Sequence, residues 1–284
     1  MGRFHRHDDG TAHSHGEHDL HHSHEHSHDH GPAHTHEHSH GDGDHTHEHN
    51  HDTHLEHLGD HSHYDTAGER VSVLEAIFEE NDRAAARNRE LLDAAHVRAI
   101  NLMSSPGAGK TTLLAETLKV LKSQLRCGVI EGDIETSLDA DRLTGFGAQI
   151  SLLNTGHGFG GECHLDAPMV AQGLTGLNVD ELDLVFIENV GNLVCPAEFD
   201  VGAHRRAMII SVTEGEDKPL KYPVMFRNVE AIVINKIDLL EYLYFDIDLL
   251  VANIHKINPQ AIVIRTSATT GEGVSEWIDW VLAS

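Results

Sequence analysis

The chain has 284 residues, a formal net charge of −26 with neutral histidines, 28 histidines and three cysteines. At about 150 residues per domain, this length predicts one or two domains. The negative charge argues against nucleic-acid binding, because neutralising phosphates needs a basic face. The sequence contains no 18-residue apolar run and no signal-peptide core, so we expect a cytoplasmic protein with no membrane partner.

Histidine dominates residues 1–64, which we call the histidine tail and which hold 23 of the 28 histidines. Between His5 and His63 the only large apolar residues are Leu20, Leu55 and Leu58. Burial of so few apolar groups cannot offset the conformational entropy lost on ordering the chain. We therefore expect a disordered tail. Histidine alternates with polar residues, and neither face would be apolar, so the alternation predicts no strand.

The segments after the tail predict one globular domain over residues 65–284. A helix is expected over about 71–95, because Val73, Leu74, Ile77 and Phe78 recur at helical spacing. Apolar runs predict strands at 97–103, 128–132, 182–188, 207–212, 230–235 and 261–266. Such runs, alternating with helices, indicate an α/β fold with a doubly wound, mostly parallel sheet whose ligand site lies at the carboxyl ends of the strands.

A glycine-rich loop, SSPGAGKTT at 104–112, lies between the first strand and an amphipathic segment. Backbone N–H groups at such a helix N-terminus cradle phosphates, which indicates a P-loop NTPase. Lys110 would reach the outer phosphates and the Thr111 hydroxyl would ligate Mg²⁺. Ser104 stands where this motif usually has glycine. The predicted phosphate-binding residues are Gly107, Ala108, Gly109, Lys110, Thr111 and Thr112.

NKID at 235–238 indicates that the base is guanine. The Asp238 carboxylate can accept hydrogen bonds from N1–H and N2–H₂ of guanine, whereas adenine would leave it unpaired. Asn235 would brace the loops around the base, and Lys236 would lie along it. TSA at 266–268 would offer the guanine oxygen a backbone N–H from Ser267 or Ala268. Together these motifs predict a site for GTP and GDP.

Two acids at strand ends complete the predicted nucleotide chemistry. Asp133 and Glu188 stand where a carboxylate can hold Mg²⁺ or its waters, although both could instead be solvated loop acids. Gly191 could bring its N–H to the γ-phosphate. We assign catalysis to Lys110, Asp133 and Glu188. Because no arginine finger is evident, we expect slow GTP hydrolysis, at roughly 10⁻⁴ to 10⁻² s⁻¹.

The three cysteines are too few and too scattered for a disulfide framework. Cys163 and His164 in GGECHLDA, with Cys195 further along, suit Zn²⁺ or Ni²⁺, but three ligands fall short of a closed four-ligand site. A symmetric dimer could complete the site by sharing ligands, although such residues by themselves more often serve packing. Cys127 directly precedes a buried strand, so we expect it to be structural.

Several segments together resemble the HypB family, GTPases that help insert nickel into [NiFe]-hydrogenase. They are SSPGAGKTT, EGDIETSLDADRL, GECHLDA, ENVGNLVCPAEFD, SVTEGEDKPLKYP and NKIDL. The resemblance runs from about residue 70 to the C-terminus. Some members also carry an N-terminal cysteine cluster that binds nickel, but this chain has no cysteine before Cys127.

The resemblance implies a nucleotide-dependent homodimer that holds Ni²⁺ or Zn²⁺ at its interface through Cys163, His164 and Cys195. It also implies two partners, a nickel-delivery protein and the precursor of the hydrogenase large subunit. Cys195 follows the ENVGN segment, so nucleotide state and metal affinity would be linked reciprocally. A urease-maturation GTPase and a nickel storage protein whose GTPase matters little are the alternatives.

The histidine tail is then expected to act as a nickel reservoir. Neutral imidazole binds Ni²⁺ well, and many imidazoles on a flexible acidic chain would hold several ions with fast exchange. A zinc or general metal buffer and a purification tag are the alternative explanations. The histidines assigned to nickel storage are His21, His22, His24, His26, His28, His30, His34, His36, His38 and His40.

Overall fold

The computed structural model describes residues 66–132, 143, 145–153 and 164–283, with side chains from residue 75 onward. It also describes the backbone of four short strands before residue 40. The chain divides into two units, Met1–His63 and Tyr64–Ser284, so the division falls next to the predicted end of the histidine tail.

The described part of the first unit consists of two antiparallel strand pairs. Strand β1 (Phe4–Arg6) pairs with β2 (Ala12–Ser14), and β3 (His21–His26) pairs with β4 (His34–Ser39). The expectation of no strand in the tail is wrong for these segments, because backbone pairing in a hairpin needs no apolar face. Among the predicted storage residues, His28, His30 and His40 lie outside the described residues. Disorder of the tail stays a prediction.

Helix α1 (Thr66–Ala94) opens the second unit and begins earlier than the predicted residue 71. Its inward face also differs from the expected one, because Ile77 is exposed. Between residues 75 and 94, where side chains are described, α1 buries Asn81, Ala84, Ala85, Asn88 and Leu92. Small alanines allow a close approach of the helix, and the two buried amides bind backbone groups of the domain beneath.

Seven parallel strands form the sheet of the second unit. They are β5 (Arg98–Ser104), β6 (Cys127–Glu131), β7 (Gln149–Leu152), β8 (Leu184–Gly191), β9 (Arg205–Ser211), β10 (Ala231–Asn235) and β11 (Ile262–Arg265). Their order across the sheet is β11-β10-β9-β5-β8-β6-β7. The doubly wound parallel fold is confirmed. Among the described strands of this sheet, the one that the sequence missed is β7, a four-residue strand at the sheet edge whose Leu152 is 55% exposed.

Helices cover both faces of this sheet. Within the described residues they are α1, α2 (Lys110–Leu121), α3 (Ala167–Thr175), α4 (Lys218–Lys221), α5 (Pro223–Arg227), α6 (Ile247–Ile257) and α7 (Val274–Leu282). Along β8, Leu184 and Phe186 enter the core shared with α2 and α7, whereas Val185 and Ile187 enter the core shared with α1 and α3. Burial on both faces explains why the strands are nearly continuous apolar runs.

Two amide side chains attach α1 to the rest of the domain. Asn81 accepts from the Ala167 N–H at 2.9 Å, and Asn88 donates to the Ala167 carbonyl at 2.8 Å. The same side chains donate to the carbonyls of Asp200 and Val201, at 2.9 and 3.1 Å. Helix α1 therefore holds the start of α3 against the segment that follows Cys195.

The topology places β5 between β8 and β9 in the middle of the sheet. The chain leaves β5 toward one edge and later returns to build the other, which creates a crevice at the carboxyl ends of these strands. None of the helices in the described part of the chain is long and apolar enough to cross a membrane.

Candidate functional site

The loop between β5 and α2 lines a cavity of about 470 Å³ at the carboxyl ends of the strands. Gly107 and Gly109 have φ angles of +71° and +92°, in the left-handed region that glycine enters without strain. A Cβ on Gly109 would lie 2.5 Å from Nδ2 of Asn235. Helix α2 begins at Lys110, so its N-terminal N–H groups lie at the cavity and favour an anion there.

The Glu188 carboxylate binds both the lysine that is predicted to reach the phosphates and the threonine that is predicted to ligate Mg²⁺. Its Oε1 accepts hydrogen bonds from Lys110 Nζ at 2.7 Å and from Thr111 Oγ1 at 2.6 Å. Glu188 is only 3% exposed, and its Oε2 is buried with no hydrogen-bond partner in the described part of the chain. The structure therefore brings together three residues that the sequence assigned to phosphate and Mg²⁺.

A second acid lies beside Glu188 and was missed by the sequence reasoning. Glu131, the last residue of β6, is the register partner of Glu188 and lines the same cavity. Asp133, the second acid that the sequence assigned to Mg²⁺, lies outside the described residues, so its role stays a prediction. The Thr111 hydroxyl and the orphaned Glu188 Oε2 are the hard oxygen donors that Mg²⁺ prefers, so the residues present fit this ion.

Gly191 also approaches the phosphate loop, as its predicted role requires. It ends β8 and lines the cavity, and a Cβ at this position would lie 3.1 Å from Cα of Pro106. Because that neighbour is backbone, a side chain here would displace the loop. Glycine at this position therefore permits the close contact between the end of β8 and the loop.

The NKID segment braces the phosphate loop from the other side. Asn235 Nδ2 donates to the Ala108 carbonyl at 2.9 Å, and Lys236 Nζ donates to the Gly107 carbonyl at 2.6 Å. Asn235 therefore connects the loops, as the sequence predicts. Asp238 Oδ1 is buried and has no hydrogen-bond partner among the residues that the structure describes, which leaves an acceptor for a base.

The TSA segment differs from its prediction. The Ala268 N–H donates to Asn235 Oδ1 at 3.0 Å, and the Ser267 N–H donates to the Glu272 carbonyl at 2.9 Å. Both N–H groups bind within the protein here, and their contact with a base stays a prediction. The sequence could not reveal this, because the acceptor Oδ1 of Asn235 comes from a different strand end.

Glu214 is a further residue at the site that the sequence reasoning left without a role. Its carboxylate accepts hydrogen bonds from the Ser105 hydroxyl of the phosphate loop and from the Ser211 N–H, the latter at 2.8 Å. The available signal was its place in SVTEGEDKP, an acid three residues after the end of β9. Glu214 ties that loop to the carboxyl end of the sheet.

Two of the three predicted thiolate and imidazole ligands lie within the described residues. The His164 ring packs against Phe199 with centroids 4.3 Å apart, and Phe199 packs against Phe78 of α1 at 5.2 Å. Cys195 is half-buried and begins the turn Cys195–Ala197, four residues before Phe199. The structure therefore brings His164 beside the segment that carries Cys195.

The third predicted ligand, Cys163, lies outside the described residues. Within the described ranges, no group of three or more histidine, cysteine or acidic side chains could hold a metal. Cys127 is buried at the start of β6, and burial raises the pKa of its thiol to about 12, with a smaller contribution from Asp183. It therefore stays a neutral thiol at neutral pH, consistent with the structural role expected from the sequence.

Comparisons with known proteins agree with this geometry. The domain family described as CobW/HypB/UreG, nucleotide-binding domain, matches residues 98–265. Hydrogenase maturation factor HypB from Escherichia coli (strain K12) is 48% identical over 205 residues, which cover 72% of this chain and 69% of that protein.

Two crystal structures are also similar. HypB from Archaeoglobus fulgidus has a TM-score of 0.66 and 39% identity, covering 72% of this chain and 97% of that one. HypB from Helicobacter pylori in complex with nickel has a TM-score of 0.66 and 35% identity. The match covers 72% of this chain and 94% of that one.

The contact between the phosphate loop and Asn235 predicts that Gly109→Ala weakens GDP binding more than about tenfold, or about 1.4 kcal/mol. The new Cβ would overlap the Asn235 amide that holds the loop. Gly145→Ala is the matched control, because Gly145 has φ +91° but no described atom within 4 Å of its Cβ position. Titration with a fluorescent GDP analogue measures both, and equal losses would contradict this packing.

Proposed function

The chain belongs to the HypB branch of the CobW/HypB/UreG family, and from that premise we propose that it is a GTP-hydrolysing metallochaperone that stores Ni²⁺ and delivers it for maturation of [NiFe]-hydrogenase. One observation carries the proposal. Strand β8 holds Glu188, which contacts Lys110 and Thr111, and the same chain segment reaches Cys195 seven residues later. A single segment thus serves the nucleotide site and the metal site.

In the proposed reaction the phosphate loop binds GTP and water cleaves the γ-phosphate to give GDP and phosphate. Lys110 balances the phosphate charge, and backbone N–H groups at the start of α2 orient it. Thr111 and Glu188, with Asp133, would hold Mg²⁺, which supplies further charge neutralisation when bound. No arginine is among the described residues that line the cavity, so we expect the intrinsic turnover to be slow.

The metal site of the proposal lies at the interface of a homodimer. Cys163, His164 and Cys195 from each protomer would bind Ni²⁺ or Zn²⁺, and sharing ligands across the two-fold axis would complete the coordination. The nickel would come from a delivery protein and pass to the precursor of the hydrogenase large subunit in the cytoplasm. This arrangement rests on the family and on the chemistry of the donor set.

The histidine tail would act as the reservoir for this site. Its imidazoles suit Ni²⁺ at modest affinity, and fast exchange among them would keep ions near the domain. Residues 1–64 lead directly into α1, whose Phe78 packs on Phe199, the ring against His164. Helix α1 would therefore connect the reservoir along the chain to the surroundings of the metal site.

A storage function is the second candidate, and the 23 histidines of the tail favour it. In that case nucleotide binding would matter little for nickel handling. A Lys110→Ala chain with an intact tail distinguishes the two. If the chaperone proposal holds, this chain rescues nickel buffering in cells but not hydrogenase activity. Urease activity in the same cells tests the remaining alternative, a urease-maturation GTPase.

Guanine specificity predicts that Asp238→Asn lowers GDP affinity at least roughly 100-fold, because two hydrogen bonds to a charged acceptor, each worth roughly 1.5–3 kcal/mol, are replaced by a mismatch. The asparagine amide instead matches N1–H and the 2-oxo group of xanthine. Fluorescence titration with GDP and XDP should therefore show the preference reversed. Unchanged GDP affinity would argue against a base contact at Asp238.

Coupling between the two sites predicts different rates of nickel loss in the two nucleotide states. We expect the chain lacking residues 1–64, loaded with one Ni²⁺ per protomer, to lose nickel to a chelator at rates that differ several-fold between GDP and a non-hydrolysable GTP analogue. Cys195→Ala should remove the difference, whereas Cys127→Ala, which changes a buried neutral thiol, should keep it. Equal rates in the unsubstituted chain would favour the storage function.

The reservoir proposal predicts that deleting residues 1–64 removes several nickel sites in an equilibrium titration. The lost sites should weaken as pH falls through about 6.5, because protonated imidazole cannot ligate a metal. Sites that depend on thiolate, in the remaining domain, should persist in the truncated chain. The same stoichiometry with and without the tail would rule out the reservoir.

A further inference from the structure

Nucleotide binding must rearrange the contacts of Glu188. Its carboxylate now occupies Lys110 Nζ and Thr111 Oγ1, the two groups that a bound phosphate and its metal ion would use. When a nucleotide takes over Lys110, the Glu188 carboxylate would exchange its contact with that lysine for one with the Mg²⁺ that it would hold beside Thr111. The end of β8 is therefore the part of the sheet on which nucleotide state acts directly.

Asn189, the next residue along β8, reaches from this strand to the residue after His164. Its side-chain Oδ1 accepts from the Leu165 N–H at 2.9 Å and from the Val190 N–H at 2.9 Å. Asn189 is 1% exposed, so water does not compete for this contact. A hydrogen bond of this kind changes an equilibrium by roughly two- to tenfold.

Leu165 is held to the nucleotide side by a second contact. Its side chain is fully buried, and a Cβ on Gly132 would lie 2.6 to 2.9 Å from its atoms. The Gly132 N–H in turn donates to the Glu188 carbonyl at 3.1 Å. Leu165 therefore rests on the carboxyl ends of both β6 and β8.

On its other side the His164 segment is anchored to parts of the fold that do not touch the nucleotide cavity. The His164 ring packs on Phe199, and the Ala167 N–H donates to Asn81 of α1. Movement of Leu165 with β8 would thus shift His164 relative to Phe199, which packs on Phe78 of α1. That relative shift changes where the imidazole can meet a metal ion.

We propose that Asn189 is a positioning residue that transmits nucleotide state from Glu188 to His164. This inference rests on the proposed function, because it assumes that His164 ligates nickel. The route differs from the chain segment that leads from Gly191 to Cys195. Both metal-binding positions would then respond to one strand end, His164 through a side-chain hydrogen bond and Cys195 through the backbone.

The test uses the full chain and follows the thiolate-to-nickel charge-transfer absorption, which imidazoles of the histidine tail do not produce. The measured quantity is the ratio of nickel-loss rates with saturating GDP and with a saturating non-hydrolysable GTP analogue. Asn189→Leu keeps the number and branching of the side-chain heavy atoms and Asn189→Ala does not, yet both remove the acceptor for Leu165. We expect both variants to lower the ratio of nickel-loss rates from several-fold to within about twofold of one, because each removes one such hydrogen bond.

Asn253→Leu is the matched control. Asn253 is also a buried amide with a backbone hydrogen bond, to the Glu216 carbonyl at 2.9 Å, and it lies on α6 rather than on β8. This variant should keep the ratio of the unsubstituted chain. His164→Ala completes a double-mutant cycle, in which Asn189→Leu should have no further effect once the imidazole is absent.

The outcomes separate this inference from the proposed function. A several-fold ratio in the unsubstituted chain that survives in both Asn189 variants would overturn the role of Asn189 alone. An effect of Asn189→Leu that is equally large in the His164→Ala chain would also overturn it, because the route would not end at His164. A ratio of one in the unsubstituted chain would overturn both the gated chaperone and this inference.

Discussion

The buried ion pair between Lys110 and Glu188 is the interaction on which the rest of the site depends. The side chains are 11% and 3% exposed and meet at 2.7 Å. A buried charge that loses its partner costs about 3–5 kcal/mol. In this structure Glu188 balances the lysine of the phosphate loop, and a bound phosphate would compete for the same lysine. Nucleotide binding and the contacts of Glu188 on β8 are therefore linked electrostatically.

The fold makes β8 a suitable strand for this role. It lies between β5 and β6, both of its faces are buried, and its carboxyl end continues toward Cys195. The neighbouring loops are held by buried amides, with Asn235 on the phosphate loop and Asn81 and Asn88 on the start of α3. Displacement at the end of β8 would therefore reach the His164 segment through the Asn189–Leu165 contact and the Cys195 segment through the backbone.

The proposed function divides metal handling between two kinds of site. Many imidazoles on an acidic tail favour capacity and fast exchange, whereas a small set of thiolate and imidazole ligands beside a nucleotide site favours controlled release. Helix α1 comes after the tail in the chain, and its Phe78 meets Phe199. Under this proposal the two kinds of site need different chemistry, in line with the concentration of 23 of the 28 histidines in residues 1–64.

The sequence by itself determined the parallel sheet, the phosphate loop, the guanine-binding segment and the family resemblance. These follow from residues adjacent in the chain, such as Gly109 before Lys110 or Asp238 after a buried strand. Only the tertiary structure decided that Asn235 consumes the Ala268 N–H, that α1 turns Ile77 outward, that Glu214 holds Ser105 and that Asn189 holds Leu165. Those contacts join residues far apart in the chain, and their partners are chosen by packing rather than by any local pattern of polarity.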